Sequence, residues 1–276
     1  MTLPEVVLLG LIQGATEFLP VSSSAHLIIF QNIFGVKQPQ LFLDVALHLG
    51  TLISTIIVLR GEILSLVKGV TFFTLYQLSG RKSQLSDEHT AMARLSGLVC
   101  IALIPTGLLG FFFRDQFERL FGSLMAVGIM LMVTGGILWM TRRAAKGMKD
   151  GGTISIMDAL VIGVIQGLAI APGISRSGST ISFGLFRKLQ KSFAFHFSFL
   201  ISIPAIMGAM ILEWEVPVIS SGELLQVLAG TLTAALAGYL FLRFLRTIVQ
   251  KGHLYFFSPY CWAAGSAAIV LSFILQ

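Results

Sequence analysis

The chain has 276 residues, of which 55% are hydrophobic and 12% are charged, with a mean hydropathy of +0.87. Soluble proteins carry roughly 25% charged residues, so a soluble domain is excluded and an all-α integral membrane protein is predicted. The net charge of +6 points to no nucleic acid, because the Lys and Arg residues fall between apolar blocks, where topology and anionic membrane lipids account for them.

The first element is a broken one. Apolar runs of half-membrane length, residues 6–12 and 27–34, flank a polar stretch with Glu17, Pro20, three serines and His26. Half-helices around a polar tip are tolerated at membrane depth only when buried in protein or lining a cavity. Residues 3–35 are therefore predicted as a re-entrant helical hairpin. Three spans follow at 41–59, 95–113 and 121–141, each near the ~20 residues a bilayer requires. Between the first two, the basic segment 60–94 is expected in the cytoplasm, with 77–93 as a polar loop. Residues 155–190 repeat the hairpin plan around Pro172 and a second serine cluster. Spans at 192–212, 224–242 and 254–275 complete the chain, giving six transmembrane helices plus two hairpins in one polytopic domain, 1–276. Cys100 and Cys261 lie in apolar stretches and are expected as buried small hydrophobes rather than a disulfide. No basic residue precedes Lys37, so the n-region of a signal peptide is missing.

Basic residues gather at 60–94, 142–149, 187–191 and 243–251, while 213–223 is acidic. With the basic clusters in the cytoplasm, the spans alternate correctly only if 155–190 enters and leaves on the same side. Each half, 1–141 and 155–276, is then a hairpin plus three spans. Three is odd, so the second half starts on the opposite face, which is an inverted-topology repeat. The first hairpin would enter from outside, with both termini external.

The two breaks are versions of each other. Gly10-Leu11-Ile12-Gln13-Gly14 and Gly163-Val164-Ile165-Gln166-Gly167 share the pattern Gly-x-Ile-Gln-Gly, and each is followed by a proline and serines. Glu17 would cost about 2.5–3.5 kcal/mol at membrane depth on insertion scales, which marks it as functional; the alternative is a purely structural pair with Arg176. His26 is a candidate general acid or base. Ser22, Ser23 and Ser24 begin the second half-helix, where they serve as caps or, with the free amides there, bind phosphate. Ser23 is the candidate nucleophile, activated by His26. Arg176 lies among Ser175, Ser177 and Ser179, and its guanidinium fork suits a phosphate oxyanion. Gln13 and Glu17 share a helical face and offer two oxygens to a hard divalent cation beside phosphate oxygens; Gln13 and Gln166 are alternatively bridges between the hairpins. Asp44 and His48 share a helical face, which either borders the cavity or sets Asp44 at the membrane surface; neither they nor His196 receive a catalytic role.

At residues 13–26 and 172–180 the chain resembles the bacterial undecaprenyl-diphosphatases of the bacitracin-resistance type. The shared motifs are Gln13-x-x-x-Glu17 running into Phe18-Leu19-Pro20-Val21-Ser22-Ser23 and His26, and Pro172-Gly173-x-Ser175-Arg176-Ser177-x-x-Thr180. The resemblance covers essentially the whole length. It implies hydrolysis of undecaprenyl diphosphate, a polyprenyl lipid carrier of cell-wall synthesis, to the monophosphate and inorganic phosphate. Bacitracin resistance would follow from loss of the diphosphate lipid. It also implies a divalent cation, Mg²⁺ or Ca²⁺, and a multi-pass location in the bacterial cytoplasmic (inner) membrane. Carried over by position, Glu17, Ser23, His26 and Arg176 would be catalytic. Ser22, Ser175, Ser177 and Thr180 would bind the phosphates, and Ser24, Gln13 and Gln166, from their places at the two breaks, are further candidates for that role. Two departures are Gln13 where many relatives have glutamate, and Ser24-Ala25 where many have Thr-Gly. A homodimer is compatible with the sequence. The rival reading is a transporter or flippase of a phosphorylated polyprenyl lipid, since inverted repeats with broken helices are also a transporter architecture.

Overall fold

A computed structural model describes residues 1–35, 41–79, 86–144, 146–212 and 221–274. Most of the acidic segment 213–223 and part of the 77–93 loop lie outside the described residues. Among those described, the structure is helical, with a single isolated bridge between Lys149 and Leu189.

The first hairpin is α1 (Leu3–Thr16) and α2 (Ser23–Ile33). Glu5 starts α1 by accepting the Thr2 amide at 2.7 Å, as in a capping box. The second hairpin is α8 (Ile156–Leu168) and α9 (Arg176–Phe186). Its capping box pairs Ser155 with Asp158. Asp158 is fully buried and also takes Lys149 at 2.8 Å and Arg187 at 2.7 Å, so one carboxylate ties both limbs together at the base. The spans are α3 (Leu41–Val58), α5 (Asp87–Phe112), α7 (Leu124–Met140), α10 (Lys191–Leu212), α11 (Ser221–Lys251) and α12 (Ser258–Ile274). Five of these are long and apolar enough to cross a membrane alone, and α3 makes a sixth together with the helix after it. Leu232, Leu236 and Leu240 are each more than 60% exposed on α11, as expected of a helix solvated by lipid rather than water.

Two expectations need correction. Residues 60–78, expected only as part of a basic cytoplasmic segment, form α4 (Arg60–Leu78), bent by 75° from α3 at a one-residue break. Arg60, Glu62 and Lys68 are the charges in an otherwise mostly apolar run, and α4 lays that run against the start of α5, which begins at Asp87 rather than 95. Cys100 is exposed rather than buried, whereas Cys261 is buried. A short helix, α6 (Arg114–Phe121), follows α5, stapled by Arg114 and Glu118 at 2.7 Å.

The halves exchange partners. α1 lies along α11, and α8 lies along α5. At Gly10 a Cβ would fall 2.4 Å from the Gly230 carbonyl oxygen, and at Gly163 one would fall 2.1 Å from that of Ala102. The two Gly-x-Ile-Gln-Gly motifs thus do the same job, letting a half-helix touch the backbone of a span in the other half, as small residues do in membranes. The result places both polar breaks side by side inside the bundle, over Phe18, Phe195 and Phe199, all buried.

Candidate active site

Two turns with positive φ hold the tips together. Ser22 has φ +68° and Gly173 has φ +98°. A non-glycine residue at positive φ is sparsely allowed and costs of order 1–3 kcal/mol, so tertiary contacts must impose it. They do: the Gly173 amide donates to Ser22 Oγ at 3.1 Å, and Ser177 Oγ donates to the Phe18 carbonyl at 3.0 Å. A Cβ at Gly173 would lie 2.4 Å from the Val127 carbonyl, so no side chain fits there.

Glu17 is the centre. It lies just past α1, with its side chain 7% exposed. Arg176 Nη2 donates to its Oε1 at 2.5 Å, joining residues 159 apart in sequence. Its Oε2 accepts Ser23 Oγ at 2.6 Å and Gln13 Nε2 at 3.1 Å. His48 Nε2 stands 3.7 Å away on α3, oriented by its Nδ1 contact with the Asp44 carbonyl at 2.8 Å. The Arg176 guanidinium also lies 5.7 Å over the Phe199 ring. A buried ion pair is weak evidence for stability, since desolvation offsets the Coulombic gain. What distinguishes this one is what it leaves over. Arg176 Nη1, Gln13 Oε1 and Ser179 Oγ are buried without a hydrogen-bond partner. Such groups cost about 1–3 kcal/mol each when orphaned, more when charged, and a ligand that satisfies them recovers that cost.

The helix start adds to the same surface. No side chain caps α2, because the Ser22 hydroxyl is committed to Gly173 and lies 3.2 Å from Ser24 Oγ. Its first-turn amides are therefore left for an anion. Ser175, by contrast, does cap α9, accepting the Gly178 amide at 3.1 Å, and lies 3.4 Å from Ser177 Oγ.

Not every expected site residue joins this centre. His26 turns away from Ser23. Its Nδ1 meets the Ser22 carbonyl at 2.7 Å, so that nitrogen carries a proton, and its Nε2 meets the Tyr260 hydroxyl at 2.6 Å. Thr180 Oγ1 donates to the Arg176 carbonyl at 2.8 Å and accepts from Ser198 Oγ. Gln166 Nε2 is taken by the Ile201 carbonyl at 3.2 Å, with Thr106 Oγ1 3.4 Å away. Tyr260 carries no signal in the sequence, whereas His48, which shares a helical face with Asp44, borders the site without having been expected to act in it.

The residues suit a hard cation only in part. Among the described residues no three His, Cys, Asp or Glu side chains cluster, yet the orphaned Gln13 Oε1 beside Glu17 is the kind of oxygen such an ion takes.

Helices broken inside a bundle, meeting around a carboxylate, a half-free guanidinium and open amides, define a polytopic membrane protein built to hold an anion. The chain belongs to the family of bacitracin resistance protein BacA, which matches residues 6–267. It is 43% identical over 272 residues to an undecaprenyl-diphosphatase of Desulfatibacillum aliphaticivorans, covering 98% of this chain and 99% of the relative. It is 44% identical over 277 residues to one from Desulforapulum autotrophicum, covering 99% and 100%. With one from Alkaliphilus metalliredigens it shares 41% over 278 residues, again covering 99% and 100%.

Proposed function

We propose that this protein hydrolyses undecaprenyl diphosphate to undecaprenyl phosphate and inorganic phosphate in the bacterial inner membrane, recycling the lipid carrier and conferring bacitracin resistance. The observation that carries the reading is the Arg176 guanidinium, bonded to Glu17 through one nitrogen and buried unpartnered at the other. A terminal phosphate entering between the tips would take Nη1, the open α2 amides and neighbouring serine hydroxyls, a charge-assisted set of several donors.

Ser23 attacks the terminal phosphorus. Its Oγ–P bond forms as the bond from phosphorus to the bridging oxygen breaks, and undecaprenyl phosphate leaves. The proton passes to Glu17 Oε2, to which Ser23 is already bonded at 2.6 Å. Water then attacks the phosphoserine, the Oγ–P bond breaks, Ser23 recovers its proton from Glu17, and the proton from water goes to the released phosphate. His26 supports this arrangement from behind, holding the Ser22 carbonyl and so the strained turn that aims Ser23. Most of the acceleration comes from preorganised positive charge around the phosphoryl oxygens. Gln13 Oε1 and a Glu17 oxygen would hold Mg²⁺ or Ca²⁺, with phosphate oxygens and water completing the shell. Such an ion supplies Lewis-acid polarisation of the phosphate. The exchange of partners between α1–α11 and α8–α5 supports repeats at 1–141 and 155–276, with the prenyl tail leaving laterally into lipid.

Phosphate release from undecaprenyl diphosphate by purified protein in detergent tests the reading. Release is expected, falling to background in EDTA and returning with Mg²⁺ or Ca²⁺. Release indifferent to EDTA would remove the cation from the account. A folded protein that releases nothing under any metal condition would move the function to transport.

A further inference from the structure

We propose that Arg60, Arg243 and Arg246 form a second anion site, distinct from the hairpin tips, which takes the phosphate of an anionic membrane lipid. A pocket of about 240 Å³ is lined by Ile57, Val58, Arg60, Tyr239, Arg243 and Arg246. It sits where α3 bends into α4, beside the last turns of α11. From His48 to that bend is about 16 Å along α3 at 1.5 Å per residue, so the pocket does not belong to the site around Glu17.

Three cations share this small space without an acid. Among the described residues no carboxylate lies within ion-pair distance of Arg60, Arg243 or Arg246, and Glu62, whose carboxylate lies 3.2 Å from His196 Nε2, does not line the pocket. The only side-chain partner shown is neutral: Arg243 Nη1 donates to the Tyr239 hydroxyl at 3.0 Å, with the guanidinium 5.5 Å over the same ring. That contact holds one fork in place and leaves its charge unspent. Like charges gathered around one pocket repel, and an oxyanion with several acceptor oxygens relieves all three together.

The surroundings choose the source of the anion. Leu228, Leu232, Leu236, Leu240 and Phe244 form an exposed ridge along α11 whose last turn runs alongside Arg243 and Arg246, and Ile53, Ile56 and Ile57 are exposed on α3. Apolar surface of this kind faces acyl chains. The pocket therefore lies where hydrocarbon-facing helices give way to basic residues, at the level of lipid headgroups, where each Lys or Arg adds to the attraction for anionic lipid. A free phosphate would use the arginines and ignore the ridge.

The test is native mass spectrometry of the full chain released from neutral detergent, titrated with phosphatidylglycerol, phosphatidylcholine or inorganic phosphate. Phosphatidylglycerol is expected to bind the wild type. The variant Arg60→Gln/Arg243→Gln/Arg246→Gln should lose at least about tenfold in that affinity, with phosphatidylcholine unaffected. A control removing the same charge from exposed positions on the same basic face, Arg143→Gln/Lys146→Gln/Lys251→Gln, should stay close to wild type. Equal losses in both variants would mean diffuse surface charge and overturn the site. Inorganic phosphate that displaces the lipid from the wild type would overturn the lipid assignment. If the triple variant does not purify folded, Arg243→Gln alone should lose several-fold, and no loss there would overturn the proposal. Undecaprenyl diphosphate hydrolysis by the triple variant serves as a separate readout, so failure here and failure of the phosphatase reading are told apart.

Discussion

Arg176→Ala is expected to abolish turnover, lowering kcat by about 10³-fold or more, the range seen when a phosphoryl or oxyanion clamp is removed. The side chain reaches Glu17 with one nitrogen and leaves the other buried and free. Its deletion would remove the cation that meets developing charge and also leave the Glu17 carboxylate buried without its guanidinium. Arg176→Lys should recover only a small part of the rate, because an ammonium cannot serve Glu17 and a phosphate oxygen with a planar fork. Steady-state phosphate release from the folded variants checks this. Near-normal kcat in Arg176→Ala would reduce the pair to a structural tie between hairpins.

Ser23→Ala carries the second large effect, a loss of at least about 10³-fold in kcat. The hydroxyl donates to Glu17 Oε2 at 2.6 Å, which is the geometry of a nucleophile with its base. Ser24→Ala is the comparison: its hydroxyl is near only that of Ser22, so a loss within about tenfold is expected. Glu17→Gln should match Ser23→Ala, and the double variant should be little worse than either, since residues acting in one step are strongly non-additive. A Ser23→Ala protein with near-wild-type hydrolysis would hand the attack to water. One that no longer hydrolyses but still moves the lipid across a bilayer would show two separate activities.

Much of this site was legible in the sequence because breaking a membrane helix demands visible residues. Pro20 and Pro172 mark the two breaks, and a carboxylate in one with an arginine in the other is a pairing that hydrocarbon depth all but requires. What stayed hidden depends on direction rather than spacing. Ser23 and His26 sit three apart on α2, which predicts neighbours, yet His26 bonds back to the Ser22 carbonyl and out to Tyr260. Gln13 and Gln166 occupy the same place in the same motif, but four residues on stands Glu17 in one and Ile170 in the other. Only Gln13 meets the acid. α4 has no signature of a full span, because Arg60, Glu62 and Lys68 interrupt its apolar run. His48 and Tyr260 are brought in from α3 and α12 by tertiary packing alone, which no local pattern encodes.

The most direct test of the central claim, that the two hairpin tips clasp one terminal phosphate, is an experimental structure with a methylene-bridged, non-hydrolysable analogue of undecaprenyl diphosphate bound. The account predicts the terminal phosphorus between Ser23 Oγ and the Arg176 guanidinium, with Nη1 bonded to a phosphoryl oxygen. A diphosphonate seated elsewhere, with Arg176 still bonded only to Glu17, would contradict it.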